Sequence, residues 1–64
     1  MYSNKLKAIR EKKGMTLERL GELTGVSAGY LCHLENGTRK NPSIEVMNNI
    51  CEALDKTIME VFFE

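Results

Sequence analysis

Two cysteines and one histidine are the residues of this 64-residue chain whose side chains most readily bind metals or react covalently. Cys32 and Cys51 are separated by eighteen residues, and His33 directly follows the first of them. This spacing does not match the Cys and His clusters that hold zinc. We expect Cys51, which falls in the apolar register of a helix, to be a reduced core residue. Cys32 is expected to be partly exposed, and oxidation of its thiol is an alternative role.

Patterns typical of enzymes are missing from the sequence. It shows no paired carboxylates, no nucleophile with a matching base and no Gly-rich phosphate loop. A chain of this length buries only about 60% of its unfolded surface in one small core, which leaves no space for a substrate pocket. We therefore expect one domain, residues 1–64, with no enzymatic activity, cofactor, metal or small-molecule substrate. No apolar run is long enough to span a membrane and no signal peptide is evident, so a cytoplasmic location is expected.

Basic and acidic side chains are segregated along the chain, although its formal net charge is zero. Residues 1–13 contain five basic residues and one acidic residue, and Arg39 and Lys40 add two further positive charges. Residues 45–64 contain five acidic residues and one basic residue. A local basic surface, rather than the total charge, determines whether a polyanion binds. The N-terminal lysines are therefore candidates for phosphate binding. The alternative is that they only form a helix face that is exposed to solvent.

Two short helices joined by a tight turn are predicted between Thr16 and Gly37. Thr16 and Ser27 are the expected N-caps of these helices. Gly25 ends the first of them in the left-handed conformation that glycine tolerates. Because Gly21 has no side chain, the second helix can cross the first closely. This arrangement is a helix-turn-helix, in which the second helix is free to enter the major groove of DNA.

A helix from about Asn4 to Lys13 is predicted before this pair. Ser3 is its expected N-cap and Gly14 its expected stop. Together with the helices that follow the pair, it makes the predicted fold entirely α-helical.

Two helices are predicted after the pair. Pro42 holds the preceding residue away from helical geometry, and Ser43 then caps the fourth helix. Thr57 and Glu60 have the spacing of a capping box, so a short fifth helix is expected to begin near Ile58.

Apolar residues at helical spacing predict a single core. Outside the helix-turn-helix its expected members are Leu6, Ile9, Ile44, Met47, Ile50, Cys51, Leu54, Ile58, Val61 and Phe62. Four apolar residues are left over: Tyr2, Leu23, Met59 and Phe63. Met59 and Phe63 lie close together near the C-terminus, so they are the predicted contact between two copies of the chain.

The chain resembles the phage repressor and Cro-type, or XRE-type, helix-turn-helix regulators. Three segments carry the resemblance and occur in register: LKAIREKKGMT, GYLCHLENG and NPSIEVMNNICEALDKTIMEVF. The NPSI segment and the helix after it are most similar to small repressors of sporulation and biofilm genes in Gram-positive bacteria. The resemblance implies an all-α, compact five-helix, lambda-repressor-like DNA-binding domain. It further implies a regulator, most simply a repressor, that binds a two-fold symmetric site in double-stranded DNA as a homodimer.

DNA contacts follow from the resemblance residue by residue. The positions that it implies to face base edges are Ser27, Ala28, Gly29, Tyr30 and His33. The positions that it implies to contact phosphates are Arg10, Thr16, Leu17, Asn36, Thr38, Arg39 and Lys40. Many relatives have glutamine where Leu17 stands, so only its backbone N–H is expected to take part. Arg10 and Glu35 are implied to form a largely buried ion pair, and the alternative is two unrelated surface charges.

The base-facing set contains few hydrogen-bonding side chains. Ala28 and Gly29 cannot form the bidentate hydrogen bonds that give about 1–3 kcal/mol per base. Tyr30 has alternative roles in packing or phosphate contact, and His33 has the alternative of simple solvent exposure. This weak set, with the zero net charge, keeps a second function open: an antitoxin-like or antagonist-like module that binds another regulator. The operator, the regulated genes and the sign of regulation do not follow from the sequence.

Overall fold

Residues 4–39 and 41–63 are described by the computed structural model, and within them five helices form the regular secondary structure. In chain order they are α1 (Leu6–Lys12), α2 (Leu17–Thr24), α3 (Ala28–Glu35), α4 (Ile44–Leu54) and α5 (Ile58–Phe62). These described ranges contain no strand, so the predicted all-α architecture of five helices is confirmed. The predictions for Tyr2, Ser3 and Lys40 fall outside the described residues.

Each of α2 to α5 begins at the hydroxyl residue that the sequence predicts as its cap. The hydroxyls of Thr16, Ser27 and Ser43 accept hydrogen bonds of 3.0–3.1 Å from the backbone N–H three residues later. At α5 the Thr57 hydroxyl accepts from the Glu60 N–H, and the Glu60 carboxylate accepts from the Thr57 N–H, which is the predicted capping box. These bonds satisfy N–H groups that have no acceptor within the helix, and so they determine where each helix starts.

The first helix is shorter than predicted at both ends, since it begins at Leu6 and ends at Lys12. The Oδ1 atom of Asn4 accepts a hydrogen bond of 2.9 Å from the Leu6 N–H, which holds Asn4 in a turn ahead of the helix. Gly14 follows the helix with a φ of +68°, in the left-handed region, so its predicted role as the stop is confirmed.

The helix-turn-helix is built around two glycines. Gly25 ends α2 in the left-handed conformation, with φ +75°, as predicted. A Cβ atom at Gly21 would lie 2.7 Å from the carbonyl oxygen of Val26. The predicted close approach at Gly21 is therefore confirmed, and the group that approaches is the backbone of the turn leading into α3.

A single apolar core is enclosed by the five helices. Its buried members are Leu6, Leu20, Leu31, Leu34, Met47, Ile50, Cys51, Leu54, Val61 and Phe62. The prediction for Ile44 is wrong, because its side chain is 64% exposed. Ile44 is the first residue of α4, and the core does not reach that end of the helix, where Pro42 is buried instead.

The apolar residues predicted to remain outside the core divide into two groups. Leu23 and Met59 are 46% and 65% exposed, as expected. Phe63 is only half-exposed and packs partly against the core just after α5 ends, so the prediction that it is left over is wrong. Met59 therefore supplies most of the apolar surface at this end. Of the helices in the described ranges, none has the length and apolar composition needed to cross a membrane.

Candidate nucleic-acid interface

The first turn of α3 presents small residues around an open space. Ser27 and Gly29 are exposed, and Ala28 is partly buried. A Cβ atom built at Gly29 would have no atom within 4 Å, so no group of the described chain requires glycine there. A glycine within a helix costs roughly 0.5–1 kcal/mol relative to alanine. The surface at Gly29 is thus bare and accessible, and it suits the close approach of another molecule.

Tyr30 and His33 differ in how they are placed. Tyr30 is half-buried and packs against the core, which supports its packing role, while its contact with a base stays a prediction. His33 is exposed one turn after Gly29, and residues four apart share a face of a helix. The accessible face at the start of α3 therefore combines a bare backbone with one imidazole.

The start of α2 offers backbone donors for an anion. The Thr16 hydroxyl accepts from the Arg19 N–H, and the Thr16 carbonyl accepts from the Leu20 N–H. Within the part of the chain that the structure describes, the N–H groups of Leu17 and Glu18 have no acceptor. The Leu17 side chain packs against the core, so only its backbone can serve this surface, as expected. A helix N-terminus with open N–H groups favours a phosphate through hydrogen bonding and through the helix dipole.

The loop after α3 is ordered by its own hydrogen bonds. The Asn36 Oδ1 atom accepts from the backbone N–H of Thr38 at 3.1 Å and from its hydroxyl at 2.7 Å. The Arg39 N–H donates to the carbonyl oxygen of His33 at 3.1 Å, which folds the loop back beside α3. The side-chain amide NH₂ of Asn36 and the exposed Arg39 side chain are left to donate outwards. Both stay predicted phosphate contacts.

Arg10 and Glu35 form the ion pair that the resemblance implies. Arg10 Nε lies 2.5 Å from one Glu35 carboxylate oxygen and Nη2 lies 3.2 Å from the other, while Nη1 donates to the Met15 carbonyl at 2.6 Å. The two side chains are only 10% and 5% exposed. The hydrogen bonds to Glu35 raise the pKa of Arg10 above the usual arginine value. With three nitrogens bound inside the protein, Arg10 joins α1 to α3, and its phosphate contact stays a prediction.

A basic groove lies beside the C-terminal end of α1. It has a volume of about 470 Å³ and is lined by Ile9, Lys12, Lys13, Lys56 and Glu60. The sequence analysis missed Lys56, because it belongs to the acidic C-terminal segment. The packing of α1 against α5 brings it to the N-terminal lysines, and only a prediction of that helix pair could have found it. The groove therefore extends the basic surface that begins with the first helix.

The two cysteines are placed as expected. Cys51 is buried and Cys32 is exposed on α3, and both are free thiols. Burial raises the pKa of the Cys51 thiol, which keeps it protonated and unreactive. Among the described residues, no cluster of three or more His, Cys, Asp or Glu side chains is placed to hold a metal ion.

Comparison with known sequences matches residues 6–61 to a helix-turn-helix family model. The chain is 33% identical over 58 residues to the HTH-type transcriptional regulator SinR of Bacillus subtilis, covering 91% of this chain and 52% of SinR. It is 37% identical over 59 residues to the transcriptional regulator ClgR of Mycobacterium tuberculosis, covering 92% of this chain and 52% of ClgR. The chain thus spans about half the length of these relatives.

Solved structures agree with the sequence comparison. The N-terminal DNA-binding domain of SinR from Bacillus subtilis superposes with a TM-score of 0.79 at 33% identity, covering 84% of this chain and 78% of that domain. SinR, described as the master regulator for biofilm formation, in complex with DNA gives a TM-score of 0.80 at 33% identity, covering 84% of this chain and 86% of the other. The five-helix arrangement is therefore that of known helix-turn-helix DNA-binding domains.

Proposed function

This chain belongs to the helix-turn-helix family, and we propose that it is a transcriptional regulator, acting as a repressor, that binds double-stranded DNA in a sequence-specific manner. The observation that carries the proposal is the open first turn of α3, bare at Gly29, with a donor group before it and another after it in the chain. One donor group is the start of α2 and the other is the loop that ends at Arg39. The similarity to SinR in complex with DNA supports the same assignment.

In this proposal the first turn of α3 enters the major groove. Gly29 lets the helix backbone approach the bases closely, and Ala28 is small enough to meet a thymine methyl group. The base-facing set consists of Ser27, Ala28, Gly29, Tyr30 and His33. The Ser27 hydroxyl is exposed too, but its oxygen already accepts the cap hydrogen bond from the Tyr30 N–H. The exposed imidazole of His33 can both donate and accept a hydrogen bond, so we expect it to give most of the polar discrimination.

Phosphates on both sides of the groove would hold α3 in place. The start of α2 at Thr16 and Leu17 serves one side through its open backbone N–H groups. Asn36, Thr38 and Arg39 serve the other. Arg10 and Lys40 remain members of the proposed phosphate-contacting set. Such contacts position a protein without specifying sequence, and each engaged cation makes binding more dependent on salt.

The proposed binding unit is a homodimer, because one recognition helix contacts too few base pairs to define a genomic site. Two copies would place their α3 helices in successive major grooves about 34 Å apart. Met59 is the main proposed contact, since it is 65% exposed on α5, and Phe63 contributes its exposed edge. Such a regulator would act where its DNA lies, in the cytoplasm, and we propose no catalytic activity for it.

A protein-interaction module is the second candidate function. Three large apolar side chains, those of Leu23, Ile44 and Met59, are 46–65% exposed, and another protein could cover them. In that case the fold is retained while the target is a second regulator. Binding to duplex DNA would then be weak and independent of sequence.

Two substitutions separate the roles in the DNA-binding proposal. Arg39→Ala should weaken binding to every duplex and lower the slope of log affinity against log salt by about one unit. His33→Ala should relax the preference at one position of each half-site and leave the salt slope unchanged. Arg19→Ala is a comparison variant, because it removes the same charge from the first turn of α2, where Arg19 pairs with Glu22.

The measurement is a salt titration of duplex affinity for the three variants and the wild type, followed by binding-site selection. If Arg39→Ala leaves the salt slope at its wild-type value, Arg39 does not bind phosphate. An unaltered base preference in His33→Ala removes His33 from the base-contacting set.

Dimer formation is tested by Met59→Glu. This substitution leaves the core intact, whereas the same change at Phe63 would disturb residues packed inside. Sedimentation should show a lower mass for Met59→Glu than for the wild type, with weaker binding to a two-site duplex. Equal masses and equal binding would exclude α5 as the dimer contact.

A further inference from the structure

We propose that Asn4 is a positioning residue for α3, because its side-chain amide links the start of α1 to the C-terminal end of the recognition helix. The inference rests on the proposed function, in which α3 contacts DNA. Asn4 itself lies outside the set of residues proposed to contact DNA. Its effect on binding would therefore be transmitted through α3.

The oxygen and the nitrogen of the Asn4 side-chain amide each form a hydrogen bond. The Oδ1 atom accepts a hydrogen bond of 2.9 Å from the Leu6 N–H at the start of α1. The Nδ2 atom donates to the carbonyl oxygen of Leu34, thirty residues along the chain. A backbone N–H can only donate and a carbonyl can only accept, so these two partners determine which way the amide points. The Leu34 carbonyl is in the last turn of α3, where it also accepts a longer hydrogen bond of 3.4 Å from the Gly37 N–H.

Among the described residues, Asn4 and Arg10 link the α1 segment to consecutive residues of α3. Asn4 holds the backbone at Leu34, and Arg10 holds the side chain of Glu35. The neighbouring Lys5 N–H donates to the Val61 carbonyl at 2.8 Å, which joins the same segment to α5. The segment before α1 is thereby attached to both the recognition helix and the helix of the proposed dimer contact.

Two links on consecutive residues restrict rotation and translation of the end of α3 more than one link does. Without the Asn4 donor, the Arg10–Glu35 pair and apolar packing would still hold α3, so the fold should persist. Apolar contacts are non-directional and set the orientation of a helix less strictly than hydrogen bonds. Contacts at a binding site need supporting groups that hold them within about 0.5 Å. Small shifts of α3 would therefore reach Gly29 and His33 and reduce discrimination between bases.

Two substitutions remove the donor while keeping an acceptor for the Leu6 N–H. Asn4→Asp retains an oxygen for the Leu6 N–H but places a second oxygen against the Leu34 carbonyl. Asn4→Ser also retains an acceptor, is too short to reach Leu34 and leaves the charge unchanged. Ser43→Ala is the control, because it removes a cap hydrogen bond of 3.1 Å from α4 and leaves α1 and α3 intact.

Affinity is measured for a duplex selected by the wild-type protein and for a scrambled duplex, with thermal unfolding in parallel. We expect both Asn4 variants to bind the selected duplex about three- to tenfold more weakly, the range that follows from one hydrogen bond. For Asn4→Ser the affinity for the scrambled duplex and the salt slope should stay unchanged. Ser43→Ala should lose a similar amount of thermal stability without losing discrimination.

The outcomes separate the inference from the proposed function. If the wild type discriminates between duplexes and Asn4→Ser discriminates equally well, the inference is overturned and the proposed function stands. If Asn4→Ser and Ser43→Ala lose discrimination in proportion to their stability, the role of Asn4 is only structural and the inference is again overturned. If the wild type selects no duplex, both fail.

Nuclear magnetic resonance of the wild type tests the link without a variant. The side-chain NH₂ of Asn4 should exchange slowly with solvent and show a coupling across the hydrogen bond to the Leu34 carbonyl carbon. Free exchange of this NH₂ group at the rate of an exposed asparagine such as Asn48 would overturn the inference.

Discussion

Gly29→Ala should make the protein more stable and yet weaken its binding to DNA. Gly29 lies within α3, outside the set of glycines with positive φ, so alanine fits its backbone without strain. A Cβ atom there meets no atom within 4 Å, so no clash offsets the gain. Replacing a helical glycine by alanine should raise the free energy of unfolding by about 0.5–1 kcal/mol. For a domain of this size the melting temperature should rise by roughly 2–8 °C.

The effect on DNA binding has the opposite sign. If the backbone at Gly29 packs directly against the bases, the added methyl group overfills a close contact, which costs about 1–3 kcal/mol. Affinity for the selected duplex should then fall at least about fivefold, since 1.4 kcal/mol is a factor of ten. Binding to a scrambled duplex, which depends on phosphates, should change much less.

Thermal unfolding and duplex titration of the same sample measure both effects. Asn48→Ala is the matched control, because Asn48 is exposed on α4 and alanine also favours the helix there. That variant should gain stability and keep its affinity. A Gly29→Ala protein that gains stability and binds the selected duplex as tightly as the wild type would refute the close approach of α3 to DNA.

Three further predictions concern stability. Gly21→Ala should lower the free energy of unfolding by about 1–3 kcal/mol, because its Cβ atom would lie 2.7 Å from the Val26 carbonyl oxygen. An unchanged melting temperature would contradict this packing. Arg10→Ala and Glu35→Ala should each lower the free energy of unfolding by about 3–5 kcal/mol, because each leaves a buried charge unpaired. Their double variant should lose less than the sum, and additive effects in a double-mutant cycle would show independent charges. Hydrogen bonds within the α5 capping box lower the pKa of Glu60 below the usual 4.5. The ionised Glu60 carboxylate therefore stabilises the fold above pH 4.5, and this contribution is lost as the pH falls through the lower folded pKa. Glu60→Gln should flatten this part of an acid unfolding curve. A curve identical to that of the wild type would argue against the capping box.

Features that depend on neighbouring residues could be predicted from the sequence. Thr16, Ser27 and Ser43 cap their helices through bonds that span three residues, so a local pattern contains all the required information. The same is true of the left-handed turn at Gly25, which glycine adopts at no steric cost. The buried faces of α3 and α4 follow from helical periodicity.

Features that depend on packing over long separations were missed. Periodicity places Ile44 on the buried face of α4 but does not say where the core ends. The contact from Asn4 to Leu34 joins residues thirty positions apart, so no local pattern predicts it. Lys56 joins the N-terminal lysines only because α5 packs beside α1. The Arg10–Glu35 pair is the exception, because the family resemblance implies it although nothing local connects those positions.

Selection of bound sequences from a random pool of DNA duplexes tests the central claim most directly. The protein should enrich a two-fold symmetric site whose half-sites are centred one helical turn, about 34 Å, or a multiple of that distance apart. Recovery of no common sequence after repeated rounds, from folded wild-type protein at moderate salt, would contradict sequence-specific DNA binding and favour the protein-interaction module.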